Sequence, residues 1–244
     1  MAWKSYSKPL AIIYTINAEY KDNNPMIKLC IFDLDGTVLD TVGSIAYFAN
    51  EALKKNGVLP IEENEYKYLA GRGIANLVRG MLNFRECYSD ELYERVYHDY
   101  DTAYNASPSY KSRIFDGLKE VLDSVKARGV RIAIVSNKPD FAARSVVGAL
   151  YGDGYFDFVC GQVPGGVLKP DPAVVLSVVK KFGMTLDECL YVGDTSTDMQ
   201  TGKNAGIYTL GVLWGFRGRE ELVENGADAV IEKPSELYEA IISR

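Results

Sequence analysis

Four groups of polar residues lie at or after the ends of short apolar runs, and each group could take part in chemistry. Ligands bind outside the carboxyl ends of the strands in open parallel sheets, so we expect these groups to meet in one crevice. Several carboxylates in one cleft need a hard cation to neutralise them, and carboxylates combined with a phosphate are typical of Mg²⁺ sites. The groups are Asp33, Asp35 and Thr37; Ser136 and Asn137; Lys169; and Asp194 with Asp198.

Each group also has a simpler interpretation when it is taken alone. The Asp33–Thr37 segment could be a solvated turn, because Asp-Gly pairs are common in turns. Ser136 and Asn137 could cap a helix, and they could equally donate hydrogen bonds to phosphate oxygens. A lysine is usually a surface charge, but Lys169 stands beside two prolines that would fix its direction. Only the combination of the four groups indicates a shared site.

The apolar runs alternate with segments of helical periodicity, and this alternation predicts an α/β fold. We expect a Rossmann-like parallel sheet core with helices on both faces, since three of the runs are almost continuously apolar. The predicted strands are Ile27–Phe32, Val130–Val135, Phe156–Cys160, Cys189–Val192, Tyr208–Val212 and Ala229–Ile231.

Helix signals lie between these runs. An amphipathic helix is predicted from Thr41 to Lys55, and another from Gly117 to Arg128 that stops at Gly129. A further helix should begin at Asp171-Pro172, with the aspartate as N-cap, and end at Phe182-Gly183. The segment 185–188 has the spacing of a capping box and predicts a short helical turn.

Residues 43–112 interrupt the alternation, because they contain several amphipathic helical stretches and no convincing strand. They predict a small α-helical cap of four or five helices, inserted after the first strand of a core formed by residues 26–42 and 113–244. Asp40-Thr41 and the segment near Ser112 would be the two hinges of a closing cap. Residues 1–25 are expected to be a poorly ordered N-terminal extension.

Composition limits the possible partners. A net charge of -6 and a pI near 5.0 argue against a nucleic-acid or membrane-surface binder, since both need a basic face. Four widely spaced cysteines without a CxxC pair indicate free thiols and a reducing, cytoplasmic location. The single histidine, His98, leaves little for a Ser-His-Asp triad or a multi-histidine metal site. The composition favours a small soluble partner, bound by a monomer or homodimer; the resemblance given next implies that this partner is a phosphorylated metabolite.

The four groups, in this order, resemble the signatures of the haloacid dehalogenase-like hydrolase superfamily over residues 26–237. Those signatures are a DxDGT loop, a Ser or Thr after the second core strand, a Lys near a proline-rich helix start, and a GDxxxD loop. The resemblance implies that Asp33 attacks phosphorus to form an aspartyl-phosphate and that Asp35 acts as general acid and base. Haloacid dehalogenases themselves lack the second aspartate of DxD, whereas Asp35 is present.

The resemblance also implies a ligand set. Mg²⁺ would be held by Asp33, the backbone carbonyl of Asp35, Asp194 and Asp198, the last directly or through water. Ser136 and Lys169 would bind the transferred phosphoryl oxygens. Thr37 and Asn137 would provide supporting substrate contacts.

Within the superfamily, the chain looks most like the phosphoglycolate phosphatases, on the basis of three segments: Gly71–Leu77, Trp214–Arg217 and Ala227-Asp228. The resemblance implies a phosphatase acting on a 2-phosphoglycolate-like monoester. Arg72 would read the remote carboxylate or second phosphate of the substrate, since a guanidinium matches either group bidentately. Arg72 could instead be an exposed loop residue, and Arg79 and Arg217 are weaker candidates of the same kind.

Other functions stay open at this point. A β-phosphoglucomutase-like phosphotransferase is disfavoured by Gly193-Asp194, where such mutases usually have Glu-Asp, while a pyrophosphatase or nucleotidase of the same superfamily remains compatible. An inactive binding or regulatory protein with the same fold should have lost a catalytic position. Asp33, Asp35, Lys169 and Asp194 are all retained.

Overall fold

The computed structural model describes residues 26–244, so the predicted N-terminal extension lies outside the described residues. The described residues contain eight strands, and six of them form a parallel sheet at the centre of the molecule. The strands are β1 Leu29–Phe32, β2 Leu39–Asp40, β3 Arg113–Ile114, β4 Arg131–Pro139, β5 Phe158–Gln162, β6 Cys189–Gly193, β7 Tyr208–Val212 and β8 Ala229–Ile231. The order in the sheet is β5-β4-β1-β6-β7-β8, and these are the six predicted strands, all of them confirmed.

Ten α-helices occur in the described part of the chain. Three short 3₁₀ turns accompany them, at Glu63–Glu65, Leu186–Glu188 and Pro234–Glu236. The α-helices are α1 Val42–Lys55, α2 Tyr66–Leu69, α3 Ile74–Phe84, α4 Asp90–Ala106, α5 Leu118–Ala127, α6 Asp140–Tyr151, α7 Ala173–Phe182, α8 Ser196–Ala205, α9 Arg219–Glu224 and α10 Leu237–Ile242.

Helices cover both faces of the sheet, as predicted, because successive strand residues point to opposite sides. In β1, Cys30 and Phe32 belong to an apolar cluster that includes side chains of α5, α6 and α10. Leu29 and Ile31 belong to a second cluster, with side chains of α7 and α8. The central strand is therefore buried on both faces, and its carboxyl end is held rigidly.

The predicted helix ends are largely confirmed. The helix α5 is followed by Gly129 at φ +84°, and Gly183 ends α7 in the left-handed conformation. The capping box at Thr185 is present. The predicted start of α7 is wrong by one residue: Pro172 is the N-cap, although Asp171 Oδ1 still accepts a hydrogen bond from the Ala173 N–H at 2.8 Å.

The helices α1 to α4 pack around an apolar cluster of their own, which we call the helical insertion. The fully described stretch 43–112 contains no strand, as predicted. The strands β2 and β3 flank the insertion and pair with each other antiparallel, at the two positions expected for hinges. The insertion also contacts the sheet-containing core, because Ala142 and Phe216 join its apolar cluster.

From residue 26 to the C-terminus, no helix combines the length and the apolar character that crossing a membrane would require.

Candidate active site

Three loops that carry predicted site residues leave the sheet side by side. The strand β1 lies between β4 and β6, so the residues after Phe32, Val135 and Val192 meet at one edge. This edge is the carboxyl edge of the parallel sheet, where ligands bind in open α/β folds.

The centre of the site is a cluster of three buried carboxylates. One oxygen from each of Asp33, Asp194 and Asp198 lies within 4.8 Å of the others. The buried ammonium of Lys169 lies 2.6 Å from Asp33 Oδ1 and 2.7 Å from Asp198 Oδ1. Within the described residues, Asp33 Oδ1 has no partner other than this ammonium, so the oxygen keeps a lone pair for an electrophile or a cation.

Three carboxylates lie around a single ammonium, and this excess of carboxylates contributes to the raised pKa values of Asp33 and Asp194. Burial, together with the charge of Asp198, raises the pKa of Asp33 to about 7 although Lys169 opposes the rise. Burial and the charges of Asp198 and Asp33 raise the pKa of Asp194 well above its usual value. The cluster therefore favours a bound proton or cation, because one ammonium cannot balance three carboxylates. A divalent cation with a preference for oxygen ligands fits this donor set.

Asp194 is fixed by two hydrogen bonds. Its Oδ1 accepts from the Thr37 hydroxyl at 2.7 Å, and its Oδ2 accepts from the Phe216 N–H at 2.8 Å. Each oxygen keeps a lone pair for a metal ion. The Thr37 hydroxyl therefore orients a carboxylate of the cluster, and its predicted contact with a substrate stays a prediction. The Asp33–Thr37 turn makes the hydrogen bond to Asp194 possible, because it brings Thr37 against the loop after β6.

Gly36 allows that turn to approach Asp194. Its φ is +85°, a conformation that side-chain-bearing residues rarely adopt, and a Cβ at this position would lie 2.2 Å from Asp194 Oδ2. Glycine is therefore required at position 36 for two reasons: the backbone angle excludes most other residues, and Asp194 occupies the space that a side chain would need.

Asp198 uses both of its oxygens within the protein. Its Oδ2 accepts from the N–H and the hydroxyl of Thr195, at 3.0 and 2.6 Å, in a capping box at the start of α8. Its Oδ1 accepts from Lys169 at 2.7 Å and from the Tyr191 hydroxyl at 3.3 Å. Four hydrogen bonds fill the acceptor sites of a carboxylate.

Asn137 holds the main chain around Lys169. Its Oδ1 accepts from the Lys169 N–H at 2.8 Å, while its Nδ2 donates to the carbonyls of Lys169 and Gly71 at 3.1 and 3.2 Å. The amide therefore positions the main chain around Lys169, and the predicted substrate contact of Asn137 stays a prediction.

Ser136 lies buried at the edge of the cavity, and its Oγ accepts from the Lys138 N–H at 3.2 Å. The alternative reading as a helix cap is excluded, since β4 continues to Pro139 with a shift of register between Val135 and Pro139. The irregular end of the strand turns these polar residues towards the site instead of towards a helix terminus.

The sequence interpretation missed Lys138. Its ammonium lies 2.8 Å from Asp35 Oδ1, an oxygen that also accepts from the Thr41 hydroxyl at 2.7 Å. The same ammonium lies 4.6 Å from the ring centre of Tyr104, on α4 of the helical insertion. Burial alone would lower the pKa of Lys138, but the charge of Asp35 and the contact with Tyr104 raise it above its usual value. The sequence feature that could have indicated Lys138 is the polar run Ser136–Lys138, which follows an apolar strand and ends at Pro139.

A cavity of about 50 Å³ lies between the core and the helical insertion. A larger cleft of about 860 Å³, around Ile27, Lys203 and Arg244, contains none of the predicted site residues and lies away from the carboxylates. The core lines the small cavity with polar groups and the insertion lines it mainly with apolar ones. The lining residues are Asp33, Asp35, Ser136, Asn137 and Lys138 from the core, and Ile45, Ala70, Gly71, Gly73, Ile74, Leu77 and Tyr100 from the insertion.

The three arginines considered from the sequence lie elsewhere. Arg72 is exposed and is not among the cavity-lining residues, although its neighbours Gly71 and Gly73 are. The Arg79 guanidinium stacks near the rings of Tyr88 and Tyr93. Arg217 donates to the carbonyls of Lys67 and Tyr68, so it links the core to the helical insertion.

The described geometry agrees with relatives of known sequence and structure. Over 214 residues the chain is 31% identical to a phosphoglycolate phosphatase of Aquifex aeolicus, covering 86% of this chain and 95% of that protein. It is also 31% identical to a phosphoglycolate phosphatase of Nitrosospira multiformis, covering 88% of this chain and 94% of the relative.

Solved structures show the same architecture. A protein from Lactobacillus delbrueckii subsp. bulgaricus superposes with a TM-score of 0.85 at 29% identity, covering 90% of this chain and 100% of that one. A predicted phosphoglycolate phosphatase from Haemophilus somnus superposes with a TM-score of 0.82 at 25% identity, covering 88% and 97% of the two chains.

The family model for haloacid dehalogenase-like hydrolases matches residues 30–212, a range that contains every predicted site residue. The strand order, the carboxylate cluster and this match over most of the chain lead to one conclusion. The chain belongs to the haloacid dehalogenase-like hydrolase family.

Proposed function

We propose that this protein is a Mg²⁺-dependent phosphatase that hydrolyses a small phosphomonoester, such as 2-phosphoglycolate, through an aspartyl-phosphate on Asp33. The observation that carries the proposal is the position of Asp33: it lines the small cavity and lies 2.6 Å from Lys169, in a cluster of carboxylates that favours a bound proton or cation. The names of the curated relatives support the choice of substrate.

The proposed reaction has two steps. In the first, an oxygen of Asp33 attacks phosphorus, the bond from phosphorus to the ester oxygen breaks, and Asp35 gives a proton to the leaving alkoxide. In the second, water attacks the aspartyl-phosphate, Asp35 takes the proton, and the bond from phosphorus to Asp33 breaks to release inorganic phosphate. Both aspartates line the cavity, as this sequence of steps requires.

Lys169 and Ser136 would bind the oxygens of the transferred phosphoryl group. Fixed donors aimed at developing negative charge stabilise a transition state most when they are already in place. The Lys169 ammonium is held by Asp198 and its main chain by Asn137, so its position is set before a substrate arrives.

Mg²⁺ would be held by Asp33, Asp194 and the backbone carbonyl of Asp35, and it would supply positive charge next to the phosphoryl oxygens. Asp194 keeps a lone pair on each oxygen, whereas Asp198 already accepts four hydrogen bonds. We therefore assign Asp198 to the water-mediated alternative and to the orientation of Lys169.

The helical insertion would act as a cap that opens to admit a substrate and closes over it. The cavity of about 50 Å³ holds only a few waters, since one water needs roughly 10–15 Å³, so the insertion would have to move even for a substrate as small as 2-phosphoglycolate. The paired β2 and β3 strands would be the hinge, with the core formed by residues 26–42 and 113–244.

A substrate panel tests the proposal. We expect the purified protein to hydrolyse 2-phosphoglycolate in the presence of Mg²⁺ with a higher kcat/KM than hexose phosphates, nucleotides or pyrophosphate. EDTA should abolish the activity, and Mg²⁺ should restore it. A preference for a nucleotide or pyrophosphate would overturn the assignment of substrate, and full activity in EDTA would overturn the assignment of the metal.

A further inference from the structure

We propose that Lys138 is the residue that recognises the carboxylate of the substrate, and that Asp35 holds its ammonium in place until the substrate arrives. The inference rests on the proposed phosphatase function and adds a specificity residue to it. It starts from the buried Lys138, which the proposed phosphoryl-transfer chemistry does not use, and from its ion pair with Asp35, Nζ to Oδ1 at 2.8 Å.

The charge of the cavity lining supports this assignment. Among the described residues that line the cavity, Lys138 is the only cationic one, and the surface facing it from the insertion is largely apolar. A second anionic group on a substrate would need a charge partner in such surroundings, because an unpaired buried charge is costly. Lys169 is already engaged between Asp33 and Asp198.

The donor count of Lys138 leaves room for a ligand. An ammonium has three donors. One reaches Asp35 at 2.8 Å, and a second is used by the Tyr104 side chain, whose ring centre lies 4.6 Å away. The residue is buried to 7% exposure, so the remaining donor is not satisfied by bulk solvent. Lys138 lines the cavity, and a small ligand there could take this third donor.

The position of Asp35 fits the shape of a 2-phosphoglycolate-like substrate. Asp35 is the proposed proton donor to the ester oxygen, and the carboxyl carbon of such a substrate lies only two bonds from that oxygen. A substrate oxygen in contact with Asp35 would therefore place the carboxylate within reach of the ammonium that Asp35 itself contacts at 2.8 Å.

The experiment compares two substrates in Lys138→Met, Lys138→Arg and the unmodified protein. The substrates are 2-phosphoglycolate and isobutyl phosphate, which has a similar shape and no carboxylate. We expect Lys138→Met to lower the ratio of kcat/KM between the two by about 10- to 100-fold, as for the loss of a hydrogen bond to a charged group. Lys138→Arg should keep most of the ratio, since the charge remains.

Arg72→Met is the matched comparison, because Arg72 is the other residue predicted to read the remote group. If Lys138→Met lowered kcat/KM equally for both substrates, the proposal would be overturned, and the role of Lys138 would be limited to positioning Asp35. A loss of selectivity in Arg72→Met and not in Lys138→Met would also overturn it. Circular dichroism and thermal melting would verify that the variants are folded.

A second readout separates this inference from the proposed function. Calorimetry would measure 2-phosphoglycolate binding to Asp33→Asn with and without Lys138→Met, in the presence of Mg²⁺. We expect Lys138→Met to weaken binding by about tenfold or more. If the unmodified protein hydrolyses neither ester, the proposed function fails while this measurement still decides the role of Lys138. Unchanged affinity would overturn that role.

Discussion

Asn137 forms two hydrogen bonds with the main chain of Lys169: it accepts one from the N–H at 2.8 Å and donates one to the carbonyl at 3.1 Å. The two residues are 32 positions apart in the chain and come from different loops of the site. The ammonium next to Asp33 therefore depends on an amide at the end of the neighbouring strand. In the proposed reaction, Asn137 would act on the phosphoryl group through Lys169.

Lys169→Met should lower kcat/KM by about 1,000-fold, because it removes the fixed charge that faces the transferred phosphoryl group. Asn137→Ala should lower it by about 10- to 100-fold, since the ammonium remains but loses its main-chain support. Asn204→Ala is the control, as its amide reaches the adjacent Pro170 carbonyl from an exposed position. Steady-state kinetics would check the order, and a defect in Asn137→Ala as large as that of Lys169→Met would contradict it.

The metal-free protein should lose stability as the pH rises from about 5 to 8. Asp33 has a pKa raised to about 7, and that of Asp194 is also raised, so the folded state binds more protons than the unfolded state in this range. Carboxylates with lowered pKa, such as Asp123, are ionised in both states there. The slope should approach about 1 kcal/mol per pH unit for each such group.

Thermal or urea unfolding in EDTA would measure this slope. Mg²⁺ should flatten it, because a bound cation neutralises the carboxylates, and Asp33→Asn should reduce it by removing one of the titrating groups. A metal-free protein that becomes more stable between pH 5 and 8 would contradict the charge imbalance that we infer for the cluster.

Gly36→Ala should abolish most activity and most stabilisation by Mg²⁺, because the new methyl group would lie 2.2 Å from Asp194 Oδ2. Gly183→Ala is a matched control: its φ is +66°, and no atom lies within 4 Å of the added Cβ. Both variants should lose about 1 kcal/mol of unfolding free energy through backbone strain. Kinetics and Mg²⁺-dependent melting would check whether only Gly36→Ala loses the site, and equal activity in the two variants would exclude this role of Gly36.

Arg217→Met should make the helical insertion open more easily. Arg217 donates to the carbonyls of Lys67 and Tyr68 in the insertion, and it also pairs with Glu221 at 3.1 Å. We expect a larger radius of gyration without ligand and a KM raised by about tenfold. The control is Arg219→Met, whose ion pair with Glu232 joins two exposed residues outside the insertion.

Small-angle scattering with Mg²⁺ and vanadate, a phosphate mimic, would measure the closure. The unmodified protein should become more compact on addition of both. Scattering curves that do not change would count against a closing cap.

The sheet could be predicted from the sequence because its strands are buried on both faces, so their apolar runs are almost unbroken. The end of β4 could not be placed in this way. Its last residues, including Ser136 and Lys138, are polar side chains buried by the site, and polarity in a sequence normally marks the end of a strand.

The site residues could be identified from the sequence, because they are polar residues at the ends of apolar strands. The side chains that each of them contacts could not be identified. Thr37 and Asp194 are 157 positions apart, and Lys138 and Asp35 are 103 apart, so each contact depends on how two loops meet in the folded chain. A lysine in a sequence normally indicates surface charge. Burial beside an aspartate distinguishes Lys138, like Lys169, from the other lysines of residues 26–244.

The most direct test of the account is the identification of the phosphorylated residue. The protein would be mixed with 2-phosphoglycolate and Mg²⁺, quenched in acid and analysed by peptide mass spectrometry, with Asp33→Asn alongside. We expect a phosphoryl group on Asp33 that is absent from the variant, together with loss of hydrolysis by the variant. A phosphoryl group on another residue, or hydrolysis by Asp33→Asn at a rate near that of the unmodified protein, would contradict it.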